Sequence, residues 1–362
     1  MRSRICIVGG IYDKPVDYRQ RHVFTPETVL SRGLRTLGFE VIETGHKTFV
    51  PNDAFDIVHV HHLGKAALVM AMSPSRSIFV YTGHHDPRLL SQYHLSPVRR
   101  LLARFVMARA DCVVTLSDIE RDQLQIRYGR SCSNFAVIPN GVPSDVFYPR
   151  SGVRLHSGPY RILFVGQLIP QKGLDVLINA FLSVARTRDC ELLLAYQTSH
   201  LEEHYRQMVT SMGLNDRVQF LGFKSAHELA ELYRAVDLFV LPSYAEALPT
   251  TITEALLSGV PVVATDVGGI REQVGEHGVV VRPGDVDGLA RAIDQVISDH
   301  LVLTSQAARR VRYARERFDP ETMVQSHVRL YESLLASQSS PLRQRRHWVC
   351  SALRAAAEEA IK

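Results

Sequence analysis

Short apolar runs alternate along the chain with amphipathic or polar stretches of roughly 10 to 20 residues, the lengths expected of strands and helices. Runs that are apolar at consecutive positions are typical of parallel strands buried on both faces, with crossover helices on either side. In residues 1–150 these runs are Ile5–Val8, Glu40–Ile42, Ile57–Val60, Ile78–Tyr81, Cys112–Thr115 and Ala136–Ile138. We therefore predict a doubly wound α/β domain there.

The same alternation restarts after a stretch rich in Pro, Gly, Ser and Arg that ends at Pro159, a composition typical of an exposed domain connection. The second set of runs is Ile162–Val165, Leu192–Ala195, Val218–Leu221, Leu238–Leu241, Pro261–Ala264 and Val279–Val281. We predict a second Rossmann-like domain over 151–317, facing the first across a central cleft.

The last part of the chain contains two segments of different composition. Residues 318–336 have apolar positions at helical spacing and predict one more helix. Residues 337–362 are basic, and we interpret them as a tail helix that is either solvated or loosely docked.

Composition agrees with a folded two-domain protein. The chain has 362 residues, 46% apolar and 22% charged, and a single core rarely grows beyond roughly 250 to 300 residues. The five cysteines are scattered without metal-ligand spacing, which favours reduced thiols and a cytoplasmic location. A net charge of +5 suits phosphate-rich ligands or an anionic membrane surface, but it is also common in ordinary enzymes. No apolar run is long enough to span a membrane.

Ligands of open α/β sheets bind beyond the carboxyl ends of the strands, so the loops there are where site residues are expected. The segment 241–259 predicts a strand, a loop and a helix that starts near Pro249 and stops at Gly259. Free amides near Thr250 and Thr251 would then form an anion site suited to a diphosphate. Glu246 and Glu254 flank this position, although in isolation each would pass for an ordinary surface acid.

Glycines also follow several predicted strands. Gly9 and Gly10 follow the first strand, Gly166 follows the first strand of the second half, and Gly268-Gly269 come after the fifth. Each of these glycine positions is equally well explained by an ordinary tight turn.

Taken together, these motifs resemble glycosyltransferase family 4, a family of retaining enzymes with the two-lobed GT-B fold. The family's E-x7-E element corresponds to Glu246 and Glu254, with P-S before it, and G-x-P-V-V-A and G-G-x-x-E after it, as in this chain. Residues 164–173 resemble the family's first C-domain loop, which implies that Lys172 contacts the donor diphosphate. The matches Asp56–His61, Ser117-Asp118 and 139–142 extend the likeness to roughly residues 1–335.

The family's N-domain histidine, which faces the transferred sugar, is matched by Thr82-Gly83-His84. His85, followed by Asp86, is a competing assignment, and we favour His84. His59, His61 and His62 are better explained as core or loop histidines.

The resemblance implies a set of site residues. Its catalytic members are Glu246, His84 and Lys172; the donor-binding members are Gly166, Gln167, Lys172, Leu248, Pro249, Thr250, Thr251 and Glu254; on the acceptor side are Gly9, Gly10 and His85. It also implies that the 318–336 helix crosses back to the first domain.

Two positions depart from the family pattern. Gln167 stands where the family usually has arginine, so one positive charge is missing from the diphosphate loop. Glu246-Ala247-Leu248-Pro249 replaces the common E-G-F-G. A catalytically weak nucleotide-sugar binder or a partner subunit is therefore the alternative to an enzyme, and an epimerase or phosphorylase is a less favoured third interpretation.

The expected reaction is transfer of a hexose from a UDP- or GDP-linked donor to a glycan, lipid or small-molecule acceptor. No Asp-x-Asp pair is apparent in the predicted cleft loops, so neither a metal nor another cofactor is expected, and nucleic acid is not an expected partner. The basic amphipathic stretch Arg99–Arg109 suggests peripheral membrane attachment, although a solvated crossover helix is the simpler interpretation.

Overall fold

The computed structural model describes residues 3–84, 97–128, 134–152, 158–197 and 200–337. These residues form two six-stranded sheets in which every strand pair is parallel, and helices cover both sheets. The α/β architecture expected from the alternating apolar runs is thus confirmed, with a strand at each of the twelve predicted positions.

The first sheet has the strand order β2-β1-β3-β4-β5-β6. Its strands are Arg4–Val8 (β1), Glu40–Thr44 (β2), Ile57–His61 (β3), Ile78–Thr82 (β4), Cys112–Thr115 (β5) and Phe135–Val137 (β6). The described helices are Val16–Arg21 (α1), Pro26–Thr36 (α2), Lys65–Met72 (α3), Pro97–Arg109 (α4) and Asp118–Tyr128 (α5). The strand order reverses between β1 and β3, so a crevice opens at the carboxyl ends of these two strands.

The second sheet has the order β12-β11-β10-β7-β8-β9. Its strands are Tyr160–Val165 (β7), Cys190–Ala195 (β8), Val218–Gly222 (β9), Leu238–Leu241 (β10), Val262–Thr265 (β11) and Gly278–Val281 (β12). Its helices are Leu174–Ala185 (α6), Glu202–Ser211 (α7), Ala226–Ala235 (α8), Thr250–Leu257 (α9), Ile270–Val274 (α10), Val286–Ser298 (α11), His300–Ser305 (α12) and Ala307–Phe318 (α13). Here the reversal lies between β7 and β10, which places the second crevice after those strands.

The last described helix, Pro320–Ala336 (α14), packs against α2 beside the first sheet. Its side chains Met323, Val324, Val328 and Tyr331 share one buried core with apolar residues of β1, β3 and α2. The chain crosses between the lobes close by, where Val142 N donates to Phe318 O at 2.9 Å. A Cβ at Gly141 would lie 2.6 Å from Pro320 Cα, so the two connecting segments touch closely.

Two further contacts join the lobes near the cleft. Glu272 Oε2, from the second lobe, accepts from the backbone N–H groups of Asp118 and Ile119 at 3.1 and 3.4 Å, at the start of α5. A Cβ at Gly269 would lie 2.8 Å from Ser117 Oγ. The G-G-x-x-E motif therefore lies against the start of a helix in the other lobe.

Within the described residues, no helix is both long enough and apolar enough to cross a membrane. The expected tail helix over 337–362 falls outside these residues, apart from Ser337.

Candidate active site

The two lobes enclose a cleft of about 500 Å³ at the crevice of the second sheet. Of the expected donor-binding residues, those that line it are Gly166, Gln167, Lys172, Pro249, Thr250 and Thr251, and Glu246, expected to be catalytic, lines it as well. Leu248 is buried beside them, and Glu254 lies one helical turn further in. The structure thus brings together most residues of this predicted set from two separate loops, one after β7 and one after β10.

Lys172 and Glu246 form an ion pair at the centre of this group. Lys172 Nζ donates to Glu246 Oε1 at 2.6 Å, and Ser243 Oγ donates to the same oxygen at 2.6 Å. The Glu246 side chain is 9% exposed and that of Lys172 21%. Removal of either partner would leave a largely buried charge without its counter-charge.

Glycines hold the loops that carry this ion pair. Gly173 follows the 3-10 turn Pro170–Lys172 with φ +64°, and a Cβ there would lie 2.2 Å from Pro242 O. Gly268 has φ +53°, and its Cβ would lie 1.9 Å from the backbone oxygen of Glu246. Only glycine, which has no Cβ, fits at these two close backbone contacts. The loops that carry Gly173, Glu246 and Gly268 can therefore pack tightly enough for Lys172 to reach Glu246.

Helix α9 points its N-terminus at the cleft. The helix begins at Thr250, and Pro249 precedes it at the N-cap, one residue outside the first turn where the sequence predicted it. No side chain caps the helix, while Thr250 and Thr251 line the cleft. Unpaired amides in the first turn, together with the helix dipole, favour an anion at this position.

Glu254 lies further along α9, against Tyr233. The Tyr233 hydroxyl lies 3.1 Å from Glu254 Oε2 and 3.0 Å from the backbone oxygen of Thr251. Burial raises the pKa of Glu254 to about 7, although hydrogen bonds from Tyr233 and Thr250 act in the opposite direction. Near neutral pH this carboxyl is therefore divided between its protonated and ionised forms.

The opposite wall of the cleft comes from the first lobe. It is formed by residues 21–25, and His22 Nε2 is hydrogen-bonded to Gln197 Nε2 of the second lobe at 2.9 Å. Lys224 lines the cleft as well, and with Arg21 it adds positive charge near the neutral Gln167. Gln197 and Lys224 follow strands β8 and β9, so the rule that located the other loops could have found them.

The expected sugar-facing histidine lies elsewhere. His84 follows β4 at the crevice of the first sheet and is not among the residues lining the 500 Å³ cleft. Its Nε2 is 2.6 Å from His61 Nδ1, and its φ is +39°. His85, the competing assignment, and Asp86 lie outside the described residues. The catalytic role of His84 stays a prediction.

The sequence indicated that His59, His61 and His62 are core or loop histidines, and the structure buries His59 and His61. His59 is hydrogen-bonded through Nδ1 to the Tyr331 hydroxyl at 2.6 Å and through Nε2 to Thr82 Oγ1 at 2.7 Å. Burial, reinforced by neighbouring histidines, lowers the pKa of His59 and His61 well below the usual range, so both stay neutral. His62, in contrast, is exposed.

A buried glutamate that sequence reasoning missed completes this cluster. Glu27, in the first turn of α2, is 3% exposed, and its Oε1 lies 3.2 Å from His62 Nε2. Burial alone would raise the pKa of Glu27, but His62 and the nearby His61 and His84 together lower it well below its usual range. Gly9 lies against this carboxylate, because a Cβ there would be 2.8 Å from Glu27 Cγ. Gly10 lies near His46 instead.

The chain does contain one Asp-x-Asp triplet after a strand, at residues 285–287. Asp285 is the N-cap of α11, and its Oδ1 accepts from Gly288 N at 2.8 Å. The first aspartate therefore has a structural partner, and neither aspartate lines the cleft.

Two family profiles match the chain. Residues 13–146 match the profile described as Glycosyltransferase Family 4, and residues 150–317 match that described as Glycosyl transferases group 1.

Curated relatives include a D-inositol 3-phosphate glycosyltransferase from Corynebacterium diphtheriae, 29% identical over 68% of this chain and 63% of the relative. A glycogen synthase from Mycobacterium tuberculosis is 27% identical over 79% of this chain and 70% of the relative. An exopolysaccharide phosphotransferase from Streptomyces coelicolor is 30% identical over 76% of this chain, but the matched region spans only 28% of that protein.

Solved structures share the fold. Sucrose-phosphate synthase from Thermosynechococcus elongatus superposes with a TM-score of 0.79 and 20% identity, covering 93% of this chain and 100% of the other. Anabaena HepE, solved in complex with UDP and glucose, gives 0.72 and 24% identity, covering 92% and 100%.

Proposed function

Because the chain belongs to the GT-B glycosyltransferases of family 4, we propose that it transfers a hexose from a nucleoside diphosphate sugar, with retention of configuration and without a metal. The proposed donor is linked to UDP or GDP, and the acceptor is a glycan, a lipid or a small molecule. Anabaena HepE has been solved with UDP-glucose, which makes uridine nucleotides the first donors to test.

The observation that carries this proposal is the Lys172–Glu246 pair beside the start of α9. Sugar transfer releases a diphosphate, so the negative charge that develops on it must be stabilised. An ammonium group has three N–H donors, and one from Lys172 goes to Glu246, which leaves others for phosphate oxygens. The amides at Thr250 and Thr251 add a second fixed source of positive potential, so the proposed reaction needs no cation.

The remaining roles follow from the positions around the diphosphate. Glu254, one turn along the same helix, would accept hydrogen bonds from the ribose hydroxyls. Glu246 would orient the hexose, and His84 would approach it from the first lobe. In the proposed retaining step, the attacking and leaving oxygens lie on the same face of the sugar.

We expect purified Glu246→Ala to release nucleoside diphosphate on the order of 10² to 10³ times more slowly than the wild type, the usual loss when one such electrostatic contact is removed. Glu276→Ala is the matched control, because that glutamate is exposed and pairs with Arg309 away from the cleft. The assay measures diphosphate release from a panel of UDP- and GDP-sugars with mixed acceptors. Wild-type rates in Glu246→Ala would remove this residue from the site.

The alternative function is a nucleotide-sugar binder or a partner subunit with little turnover. The observation in its favour is Gln167, which lines the cleft where a positive charge would help the leaving group. Saturable binding of nucleotide sugars without turnover, across the whole panel, would support this alternative. Sustained release with any acceptor supports the enzyme.

The proposed location is the cytoplasm, with peripheral attachment to anionic lipid through α4. This helix buries Ala103, Val106 and Met107, while three apolar side chains on the other side point to solvent. Val98 is 64% exposed, Leu101 67% and Phe105 40%, and arginines lie between them in the sequence. An apolar stripe beside basic residues suits the surface of an anionic bilayer.

The lipid proposal is tested by co-sedimentation with vesicles of neutral or anionic lipid. Wild type should bind only the anionic vesicles, and Leu101→Asp should reduce that binding, whereas Ile126→Asp, on the exposed side of α5, is the control. Binding that does not depend on the anionic lipid content would contradict the proposal.

A further inference from the structure

Three side chains with metal-ligating atoms meet at the crevice of the first sheet. Glu27 comes from the first turn of α2, His62 follows β3, and His84 follows β4. One ligand atom from each residue can be chosen so that all three lie within 4.8 Å of one another. We propose that Glu27, His62 and His84 form a binding site for a divalent transition metal ion such as Zn²⁺.

The ligand set fits such an ion. Two imidazoles and one carboxylate are borderline ligands that suit Zn²⁺, Co²⁺ or Fe²⁺ better than Mg²⁺ or Ca²⁺, and three protein ligands leave positions open for water or another group. Ligands about 2.0 to 2.2 Å from a tetrahedral zinc are roughly 3.4 Å apart. The Glu27–His62 pair, at 3.2 Å, already has that separation. His62 is the exposed member, so it can adjust toward His84.

The backbone at both histidines is unusual. His62 has φ +69° and His84 has φ +39°, and within the described ranges they are the only residues other than glycine with positive φ. Such conformations are strained for residues other than glycine and tend to occur at functional sites. Two of them, just after adjacent strands and both in one three-residue cluster, indicate that the local structure fixes the backbone from which these rings project.

The histidines around Glu27, His62 and His84 also support a metal site there. The ring of His84 is held by the 2.6 Å hydrogen bond to His61, whose Nε2 is buried and has no hydrogen-bond partner in the part of the chain that the structure describes. A metal-bound histidine normally has its second ring nitrogen held in this way. His46 packs beside Gly10 and Gly64, and both of its ring nitrogens are buried. Polar nitrogen atoms are thus concentrated at this edge of the sheet.

A bound metal would affect transfer in a specific way. Coordination would occupy a ring nitrogen of His84, the residue proposed to face the sugar, so the ion should inhibit the transferase. This consequence rests on the proposed function, whereas metal binding itself does not. The site is also separate from the diphosphate position, where Lys172 and the start of α9 supply the charge.

The direct test is a Co²⁺ titration of the full-length, tag-free protein, followed by visible absorption. We expect one equivalent to bind with d–d bands of low-coordinate cobalt, and Zn²⁺ to displace it. His62→Asn removes the imidazole while asparagine tolerates positive φ, and it should weaken binding at least about tenfold. His204→Asn, an exposed histidine on α7, is the control and should bind as the wild type does.

Absence of saturable binding below about 100 µM, or equal affinity in His62→Asn and wild type, would overturn the site. Circular dichroism of His62→Asn checks that the fold is retained. Cobalt binding in a protein that transfers no sugar would support the site while contradicting the proposed function. If the protein binds cobalt and transfers sugar, but zinc does not inhibit the transfer, the metal site would stand. The proposed inhibition through coordination of His84 would then be wrong.

Discussion

The most informative prediction concerns Glu254, the half-buried carboxyl on α9 that packs against Tyr233. With a pKa of about 7 in the free protein, this group is about nine-tenths ionised at pH 8 and about one-tenth ionised at pH 6. Ribose hydroxyls donate hydrogen bonds and so favour the carboxylate. We therefore expect the affinity for a nucleoside diphosphate to fall about tenfold between pH 8 and pH 6, because only the ionised fraction is competent to bind.

The assay is calorimetric titration of UDP or GDP at several pH values, in buffers with different ionisation heats. Binding near pH 7 should release a fraction of one proton, which makes the measured heat depend on the buffer. Glu254→Gln keeps an oxygen that accepts from Tyr233 but cannot ionise, so its affinity should follow only the titration of the nucleotide itself. Equal pH profiles in Glu254→Gln and wild type would refute the reasoning.

The same pKa makes a prediction about stability. A carboxyl whose pKa is raised from 4.5 to about 7 by folding favours the folded state when protonated. Its contribution is present below pH 4.5 and is lost as the pH rises through 7, because the fold then holds an ionised, half-buried group. The full difference is at most about 3 kcal/mol. Urea denaturation from pH 5 to 8 should show wild type losing stability relative to Glu254→Gln.

Three further predictions concern the ion pair, the helix that returns to the first lobe and the glycine loop. Lys172→Ala should lower kcat/KM for the donor on the order of 10² to 10³ times, measured by diphosphate release; a normal rate would show that this ammonium does not contact the diphosphate. Tyr331→Phe should lower the free energy of unfolding by about 1 to 3 kcal/mol, measured in urea, because it leaves a nitrogen of the buried His59 unpaired; unchanged stability would contradict that hydrogen bond. Gly268→Ala should abolish transfer and strongly lower the free energy of unfolding, because the new Cβ would clash with the backbone oxygen of Glu246. Gly222 also has positive φ but open space around it, so Gly222→Ala should lower that free energy by only about 1 to 2 kcal/mol. Equal losses of stability in the two variants would argue against the clash at Gly268.

The fold could be predicted from the sequence because parallel strands buried on both faces are apolar at consecutive positions. Strands β3 and β10, for example, are wholly buried, and both were found by this pattern. The cleft loops were found by the same logic, since they follow strands at the carboxyl edge. Helix α9 begins one residue after Pro249, within the precision of a boundary inferred from sequence.

The other features of the site depend on which strands lie side by side in each sheet, and a single sequence does not reveal the strand order. Glu27 passes for an ordinary acid in the first turn of a helix, and only the folded chain shows it buried against His62. The cleft wall at residues 21–25 follows helix α1, which has no buried residue and therefore no apolar periodicity to mark it. His84 was identified by motif, but its hydrogen bond to His61 is visible only in the folded chain.

Helix α14 has a consequence for how the molecule is made. A ribosome delivers residues 320–336 after both sheets have been synthesised, yet Met323 and Tyr331 complete the core around β1 and β3. Of the two lobes, the one that is translated first therefore keeps an apolar face uncovered until residues 320–336 have emerged. Early termination just before this helix would release a C-terminal lobe with its own core intact and an N-terminal lobe that chaperones would still have to shield.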